Sequence, residues 1–272
     1  MLRQVIVTLM GNVDSGKSST IDRIKRTSIV KTEPGKITQS IKAYTLHLST
    51  IKKLCGHLLD FSKIKIPGLL LIDSPGHAAF TNLRKRGGSL ADIAVLFIDV
   101  NEGIKPQTIE CIEILKQEKT PFVISLNKID LIPGWQPKPE KPILTNIQEQ
   151  AETVKQLLDK KLYEILAEFY EKFNLQIERF DRVTDYTKTI AVIPTSAKTG
   201  EGIPELLMVI TGLAQKFLER GLVCDLESPA KGTVLEVTEE KGIGTTLDTI
   251  IYDGKIQVGD QIMIGTMTEP LT

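Results

Sequence analysis

Short apolar runs alternate with helical patterns along most of the chain. Two of the helical patterns are amphipathic, one over residues 154–169 and one over residues 204–219, which begins with a proline. Short apolar runs that end in polar residues are typical of the buried strands of a parallel sheet. The predicted strands lie at residues 5–9, 41–48, 68–72, 93–98, 121–126 and 190–193, with a short helix at 50–61. The pattern therefore predicts an α/β fold with a mostly parallel sheet.

The last part of the chain has a different pattern. From Ser228 onward, short alternating runs at residues 232–237, 245–252 and 261–264 are separated by glycine-containing turns. This pattern is typical of an all-β barrel, but the 272-residue chain leaves fewer residues than a closed barrel usually needs. We therefore expect one domain over residues 1–222 and the beginning of a β-barrel domain over residues 223–272. We also expect the chain to end inside that domain with an exposed sheet edge.

A phosphate-binding motif follows the first predicted strand. Residues 11–18 read GNVDSGKS and fit G-x-x-x-x-G-K-[ST], the P-loop, with a helical pattern directly behind them. The glycines allow the backbone to curl, so that its N–H groups and the helix N-terminus converge on phosphate oxygens. Lys17 is the expected cation for the β- and γ-phosphates, and the Ser18 hydroxyl is an expected ligand of Mg²⁺. The predicted nucleotide contacts here are Asn12, Val13, Asp14, Ser15, Gly16, Lys17, Ser18 and Ser19.

A second polar cluster, Asp73-Ser74-Pro75-Gly76-His77, follows another predicted strand. A carboxylate at that position can hold Mg²⁺ through water, so we assign this role to Asp73. The Gly76 N–H can donate to the γ-phosphate, and His77 would then face the attacking water. Upstream, Thr38 lies in a polar stretch between the P-loop and Asp73. A threonine there can complete the Mg²⁺ shell only when a γ-phosphate is present.

Two further clusters indicate which base is bound. Asn127-Lys128-Ile129-Asp130 fits N-K-x-D at the end of a predicted strand, and Ser196-Ala197-Lys198 follows the next one. The Asp130 carboxylate can accept hydrogen bonds from guanine N1–H and the 2-amino group, whereas adenine has no matching donor pair. Because open α/β sheets bind ligands at the carboxyl ends of their strands, these clusters together predict a guanine-nucleotide-binding domain.

Composition restricts the partners and the compartment. The chain has 34 basic and 34 acidic residues, so no global charge draws it to nucleic acid or membrane. Its three cysteines, Cys55, Cys111 and Cys224, are far apart, which disfavours a zinc knuckle or a disulfide framework and suits a reducing cytosol. The first predicted strand begins too early for a signal peptide, and no apolar run reaches membrane-spanning length. We expect a cytoplasmic monomer without a membrane partner.

The basic run Arg84-Lys85-Arg86 has two interpretations. It can be a solvated helix face, or it can face RNA or a ribosomal surface, since it follows the segment expected to respond to the γ-phosphate. The residues alone leave both interpretations open.

Taken together, these residues resemble a translational GTPase, and more narrowly the archaeal and eukaryotic translation initiation factor five-B family, the counterpart of bacterial initiation factor two. The resemblance covers essentially the whole chain. Elongation factors of the Tu type share the nucleotide motifs but not the segments at 80–88 and 178–185, and the gamma subunit of initiation factor two usually has a zinc knuckle. The stretches that carry the resemblance are residues 11–18, 35–39, 73–88, 101–108, 127–135 and 178–185.

This resemblance implies a G domain followed by a β-barrel, with two further domains that this chain does not include. It implies GTP hydrolysis with Mg²⁺ during ribosomal subunit joining, stimulated by large-subunit RNA. Initiator tRNA and another initiation factor would be partners through the further domains. An elongation-type tRNA carrier, or a nucleotide-sensing ribosome-binding module with little hydrolysis, are the alternative functions.

The resemblance also implies individual roles. Lys17 and His77 would be the catalytic residues, and Ser18 and Thr38 the Mg²⁺ ligands. Val13 and Ile37 would form an apolar gate in front of the histidine. Asp14 is a candidate ligand for a monovalent cation near the β–γ bridge.

This chain departs from the family pattern mainly in the P-loop, where G-H-V-D-H-G-K-T is usual. Asn12, Ser15 and Ser18 stand in place of two histidines and a threonine, and Ser18 keeps a hydroxyl. Lys36 replaces a usual glycine, and Ser74 replaces a threonine.

Overall fold

The computed structural model describes residues 1–27, 42–73, 91–240, 242 and 244–265. Several predicted site residues lie outside this part of the chain, and their assignments remain predictions. They are Ile37, Thr38, Gly76, His77 and the basic run at 84–86, together with the departures Lys36 and Ser74.

Nine strands and six helices form within the described residues, apart from short 3-10 and π turns. The strands are β1 (Val5–Gly11), β2 (Lys42–His47), β3 (Gly68–Asp73), β4 (Ile93–Asp99), β5 (Phe122–Asn127), β6 (Gln176–Arg179), β7 (Thr189–Pro194), β8 (Lys231–Glu240) and β9 (Gly244–Asp253). The helices are α1 (Lys17–Thr27), α2 (Leu48–Cys55), α3 (Pro106–Glu118), α4 (Ile143–Gln148), α5 (Glu152–Phe173) and α6 (Ile203–Leu213).

Seven strands form one sheet in the order β2-β3-β1-β4-β5-β7-β6. All neighbouring strands are parallel except β2, which is antiparallel to β3. The central strands β1 and β4 are buried along their whole length, which is why they appear in the sequence as continuous apolar runs. The predicted α/β fold with a mostly parallel sheet is confirmed.

The sheet brings the polar strand ends to one edge. Leu9 of β1 pairs with Asp73 of β3, and Asp99 of β4 pairs with Asn127 of β5. Because parallel strands run in the same direction, the carboxyl ends of β1, β3, β5 and β7 lie along the same edge of the sheet. This edge contains the candidate site.

Two predicted helices end earlier than the sequence pattern indicates. The helix predicted at 50–61 stops at Cys55, because Gly56 has a positive φ of 54° and begins a 3-10 turn. The helix predicted at 204–219 ends at Leu213 and continues as a π turn and a 3-10 turn. The Gln215 side chain in that π turn accepts hydrogen bonds from the backbone N–H groups of Lys65 and Ile66. This long-range contact ties the segment to the loop before β3.

A second, two-stranded antiparallel sheet consists of β8 and β9. Two of the three strands expected in this part are therefore confirmed. The third, at residues 261–264, is wrong, because only Ile264 there makes an isolated bridge. Ile250 of β9 packs against Ile6 and Ile72 of the large sheet. The division into two domains at residue 222 stays a prediction.

The three cysteines all lie within the described residues. Cys55, Cys111 and Cys224 are free and buried. Burial raises the pKa of the Cys55 thiol to about 12 and that of the Cys111 thiol to about 11, so both stay protonated at neutral pH. Among the described helices, none combines the length and the apolar character that a membrane crossing requires.

Candidate nucleotide-binding site

The P-loop connects β1 to α1 through backbone conformations that need glycine. Gly11 and Gly16 have φ angles of 139° and 96°. A Cβ at Gly11 would lie 2.5 Å from the backbone oxygen of Phe97, and one at Gly16 would lie 2.0 Å from Asn127 Nδ2. The motif glycines therefore allow both the curl of the loop and its close packing against β4 and β5.

Gly16→Ala should lower the free energy of unfolding by about 2–3 kcal/mol, since a side chain both clashes with Asn127 and is strained at this φ. Thermal unfolding followed by circular dichroism measures the effect. Gly212→Ala is the matched control, because a Cβ at Gly212 near the end of α6 has nothing within 4 Å. Equal melting temperatures for both variants would contradict the steric argument.

Ser15 stands where the family that the motifs resemble usually has a histidine, and its side chain forms a hydrogen bond within the loop. Its hydroxyl donates to the Asn12 backbone oxygen at 2.7 Å, and the residue is only 2% exposed. Its backbone oxygen accepts from Asn127 Nδ2 at 2.7 Å. The serine thus closes the loop with a short local hydrogen bond.

Lys17 lies at the start of α1 with its ammonium group turned into the loop. Nζ donates to the backbone oxygens of Gly11 at 2.9 Å and Asn12 at 2.6 Å. Burial lowers the pKa of this ammonium group, although the Asp73 charge acts in the opposite direction. The ammonium group is therefore held inside the loop by two backbone oxygens.

The two predicted Mg²⁺-associated residues of the described part lie in contact. The Ser18 hydroxyl donates to Asp73 Oδ2 at 2.7 Å, so residues 55 positions apart meet at the mouth of the P-loop. Hydroxyl and carboxylate oxygens are hard ligands that suit Mg²⁺, which usually keeps several waters and needs few protein ligands. In the described ranges, no group of three or more His, Cys, Asp or Glu side chains forms a metal site. The residues present fit Mg²⁺ held jointly by the protein and by phosphates.

Asn127 connects three segments of the site. Its Nδ2 donates to the Ser15 backbone oxygen, and its Oδ1 accepts from the backbone N–H of Ala197 at 3.0 Å. The Thr195 hydroxyl also donates to Oδ1, at 3.4 Å. The residue is completely buried. One amide side chain therefore sets the distance between the phosphate loop and the residues that follow β7.

Asp130 and Ser196 form the candidate base-reading pair. The Ser196 hydroxyl donates to Asp130 Oδ1 at 2.6 Å and accepts from the Thr199 backbone N–H at 3.1 Å. The orientation of the carboxylate therefore depends on the segment after β7 as well as on its own loop.

Lys128 adopts a left-handed conformation with φ of 67°, and its Nζ pairs with Asp99 Oδ2 at 2.8 Å. This hydrogen bond raises the pKa of the Lys128 ammonium group. Asp99 lies at the end of β4 and was not among the predicted site residues. The feature of the sequence that could have indicated Asp99 is a carboxylate at the end of a predicted strand.

A cavity of about 440 Å³ extends between α1 and the loops after β5 and β7, within the size range of small-ligand sites. Eight predicted residues line it: Asp14, Gly16, Ser19, Asn127, Lys128, Asp130, Ala197 and Lys198. Four more were missed by sequence reasoning: Asp22, Arg23, Arg26 and Leu131. The three from α1 follow Ser19 at spacings of three, four and seven, so a helix-face pattern could have indicated them.

Val13 does not line this cavity, and neither do four other predicted contacts of the P-loop: Asn12, Ser15, Lys17 and Ser18. Val13 is 60% exposed, and its backbone N–H donates to Gln107 Oε1 at 3.1 Å. Its proposed gate partner, Ile37, lies outside the described residues, so the gate remains a prediction.

A P-loop after β1, an aspartate at the end of β3 and two candidate base-reading segments after β5 and β7 lie along one edge of a parallel sheet. This fold and this arrangement define the class of P-loop GTP-binding domains. The family model of the elongation factor Tu GTP binding domain matches residues 2–216, and the chain belongs to this family.

More specific relatives are named as initiation factors. The chain is 53% identical over 270 residues to a probable translation initiation factor IF-2 of Methanothrix thermoacetophila, covering 99% of this chain and 44% of that protein. The corresponding protein of Methanopyrus kandleri is 51% identical over 272 residues, covering 99% of this chain and 45% of that protein. A crystal structure of GDP-bound aIF5B from Aeropyrum pernix has a TM-score of 0.88 and 46% identity, covering 100% of this chain and 45% of that one.

The chain therefore spans less than half the length of these relatives. The resemblance to the initiation factor five-B family that the motifs indicate is confirmed.

Proposed function

We propose that this chain binds GTP and GDP and hydrolyses GTP. It would do so as part of a translation initiation factor that acts in ribosomal subunit joining and initiator tRNA placement. The observation that carries the proposal is the cavity that Gly16 of the P-loop and Asp130 line together, with Ser196 donating to the Asp130 carboxylate. The names of the relatives support the role in initiation.

Guanine selectivity follows from hydrogen bonding to Asp130. Its carboxylate would accept from guanine N1–H and the 2-amino group, whereas an adenine in the same position would supply neither of these two hydrogen bonds. A site built around such a pair rejects the analogue that lacks the donors by a large factor. A backbone N–H of the segment Ser196-Ala197-Lys198 would donate to guanine O6, and the Lys198 stem would pack along the base.

Hydrolysis would proceed by in-line attack of water on the γ-phosphorus through a loose transition state. Lys17 would neutralise the charge that develops on the β–γ bridge, and Gly76 N–H would bind the γ-phosphate. His77 would orient the water, with Val13 and Ile37 as an apolar gate in front of it. Without an arginine supplied by a partner, we expect slow intrinsic turnover, on the order of 10⁻³ s⁻¹ or below.

Ser18 and Asp73 would hold Mg²⁺, the serine directly and the aspartate through water, and Thr38 would add a ligand in the GTP state. When bound, Mg²⁺ neutralises negative charge on the β- and γ-phosphates. Asp14, with its φ of 62° in the loop, is the proposed ligand of a monovalent cation.

The proposal extends to organisation and partners. Residues 1–222 would be the G domain and residues 223–272 the beginning of a β-barrel domain. The ribosome would be the activating partner, through its large-subunit RNA, in the cytoplasm. Initiator tRNA and another initiation factor would bind domains of the longer relatives, and the chain itself would act as a monomer.

Nucleotide titration tests the biochemical core of this proposal. GDP and GTP should bind in the presence of Mg²⁺, whereas ADP should bind at least a thousandfold more weakly, because adenine offers Asp130 no matching pair of donors. Chelation of Mg²⁺ with EDTA should weaken GTP binding, and isothermal titration calorimetry measures each affinity. Equal binding of ADP and GDP would contradict the guanine assignment. Single-turnover hydrolysis that ribosomes fail to stimulate would favour the nucleotide-sensing module instead.

A further inference from the structure

Thr199, directly after Ser196-Ala197-Lys198, is hydrogen-bonded to two different parts of the chain. Its hydroxyl donates to Glu201 Oε2, and its backbone oxygen accepts from Arg23 Nη2 at 2.7 Å. One partner comes from the chain just beyond it, and the other comes from α1, 176 positions away. Thr199 therefore joins α1, the helix after the P-loop, to the segment that contains Ser196.

Glu201 is a rigid anchor for this contact. It is only 1% exposed, and besides Thr199 its carboxylate accepts from the Lys138 backbone N–H at 3.0 Å. Trp135 Nε1 and Asn146 Nδ2 also donate to it. A buried carboxylate is costly unless its oxygens are hydrogen-bonded, and here several neutral donors satisfy it. The Thr199 hydroxyl is therefore attached to a part of the protein that cannot easily shift.

Arg23 can approach Thr199 because the next residue is a glycine. A Cβ at Gly200 would lie 2.7 Å from Arg23 Nε and 2.8 Å from its Nη2. Gly200 also has a φ of 93°, which disfavours a side chain there. The backbone is thus shaped for a guanidinium group at the edge of the cavity, which Arg23 lines.

From Thr199 the path to Asp130 is short. The Thr199 backbone N–H donates to Ser196 Oγ at 3.1 Å, and that hydroxyl donates to Asp130 Oδ1 at 2.6 Å. The hydroxyl can point its hydrogen at Asp130 while its lone pair faces Thr199, so the position of Thr199 restricts the Ser196 rotamer. The Ser196 rotamer in turn restricts the rotation of the Asp130 carboxylate.

We propose that Thr199, clamped by Glu201 and Arg23, is a positioning residue that holds Ser196 and Asp130 in the orientation that reads the 2-amino group of guanine. This inference rests on the proposed guanine-nucleotide binding. Two hydrogen bonds to a base edge require a carboxylate in the plane of the base, whereas one bond tolerates rotation. Loss of the clamp therefore weakens the bond to the 2-amino group more than it weakens nucleotide binding as a whole.

The test compares GDP with IDP, whose hypoxanthine base lacks only the 2-amino group. Thr199→Val removes the hydroxyl and keeps the shape, and Thr199→Ser restores the hydroxyl. We expect the valine variant to reduce the GDP-to-IDP affinity ratio about fivefold and the serine variant to keep the wild-type ratio. Arg23→Gln shortens the side chain that donates to the Thr199 backbone oxygen, and it should shift the ratio in the same direction. Fluorescence titration of the whole chain gives both affinities.

Glu205→Gln is the matched control. Glu205 is a buried carboxylate, 3% exposed, that accepts from the Ile143 backbone N–H at 2.7 Å. Its substitution should lower the melting temperature without changing the ratio. A wild-type ratio in both Thr199→Val and Arg23→Gln would overturn the positioning role. If the wild-type chain instead binds ADP as tightly as GDP, the proposed guanine-nucleotide function fails. That result concerns the wild type, whereas failure of the positioning role alone would appear as an unchanged GDP-to-IDP ratio in the variants.

Discussion

Asp130→Asn should lower the affinity for GDP more than a hundredfold and raise the affinity for XDP, whose xanthine base carries an oxygen in place of the 2-amino group. The substitution removes two hydrogen bonds to a charged acceptor, which together contribute about 3 kcal/mol, and each 1.4 kcal/mol corresponds to a tenfold change. The asparagine amide can donate to the xanthine oxygen. Its Oδ1 can still accept from the Ser196 hydroxyl, so the loop should keep its conformation. Competition between labelled GDP and XDP measures the exchange of preference.

The control for this experiment is Asp260→Asn, an exposed aspartate after β9 whose carboxylate accepts from the Gln257 backbone N–H. It changes the net charge equally and should leave both affinities as in the wild type. Unchanged GDP affinity in Asp130→Asn would refute the base-reading role of this residue. Weaker binding of both nucleotides would instead indicate a damaged loop.

His77→Ala should leave GTP affinity intact and lower ribosome-stimulated hydrolysis by about a thousandfold, within the range that a positioned general base or water-orienting group contributes. The expectation rests on the place of His77 directly after Asp73-Ser74-Pro75-Gly76 and on the family of the chain. Nucleotide binding should persist because the substitution leaves Lys17 and Asp130 unchanged, the residues assigned to the phosphates and to the base. Single-turnover release of labelled phosphate, with and without ribosomes, separates the two effects.

His57→Ala is the matched substitution, since His57 is exposed on the 3-10 turn after α2. Its stimulated rate should equal that of the wild type. Stimulated turnover that survives in His77→Ala would remove His77 from the mechanism. A wild-type chain that ribosomes do not stimulate would contradict the proposed activation itself.

The strand ends that build this site could be predicted from the sequence because each is a local signal. A continuous apolar run forms a buried strand where both faces of the sheet are covered by other parts of the protein, and β1, β4 and β5 are examples. Parallel strands then align their carboxyl ends without further information. For this reason the motifs and their spacing suffice to assign Asn127 and Asp130 to the same site as Gly16, and all three line one cavity.

The P-loop departures are a case in which the sequence alone was ambiguous. Ser15 in place of histidine leaves the motif intact, but only the structure shows that its hydroxyl bonds to the Asn12 backbone oxygen. The side chain that differs from the family pattern, that of Ser15, therefore forms the hydrogen bond that closes the loop.

The sequence by itself determined six of the seven strands of the large sheet, the P-loop and the polar clusters, because periodicity and motif spacing act over a few residues. It did not indicate β6, the short strand at Gln176–Arg179. The tertiary structure alone decided which distant groups support those clusters. Three examples are the ion pair of Lys128 with Asp99, the hydrogen bond of Arg23 to Thr199, and the donors around Glu201. These contacts join segments far apart in sequence, and no local propensity encodes them. They form because a buried or half-buried charge must find a partner once the sheet and helices have packed.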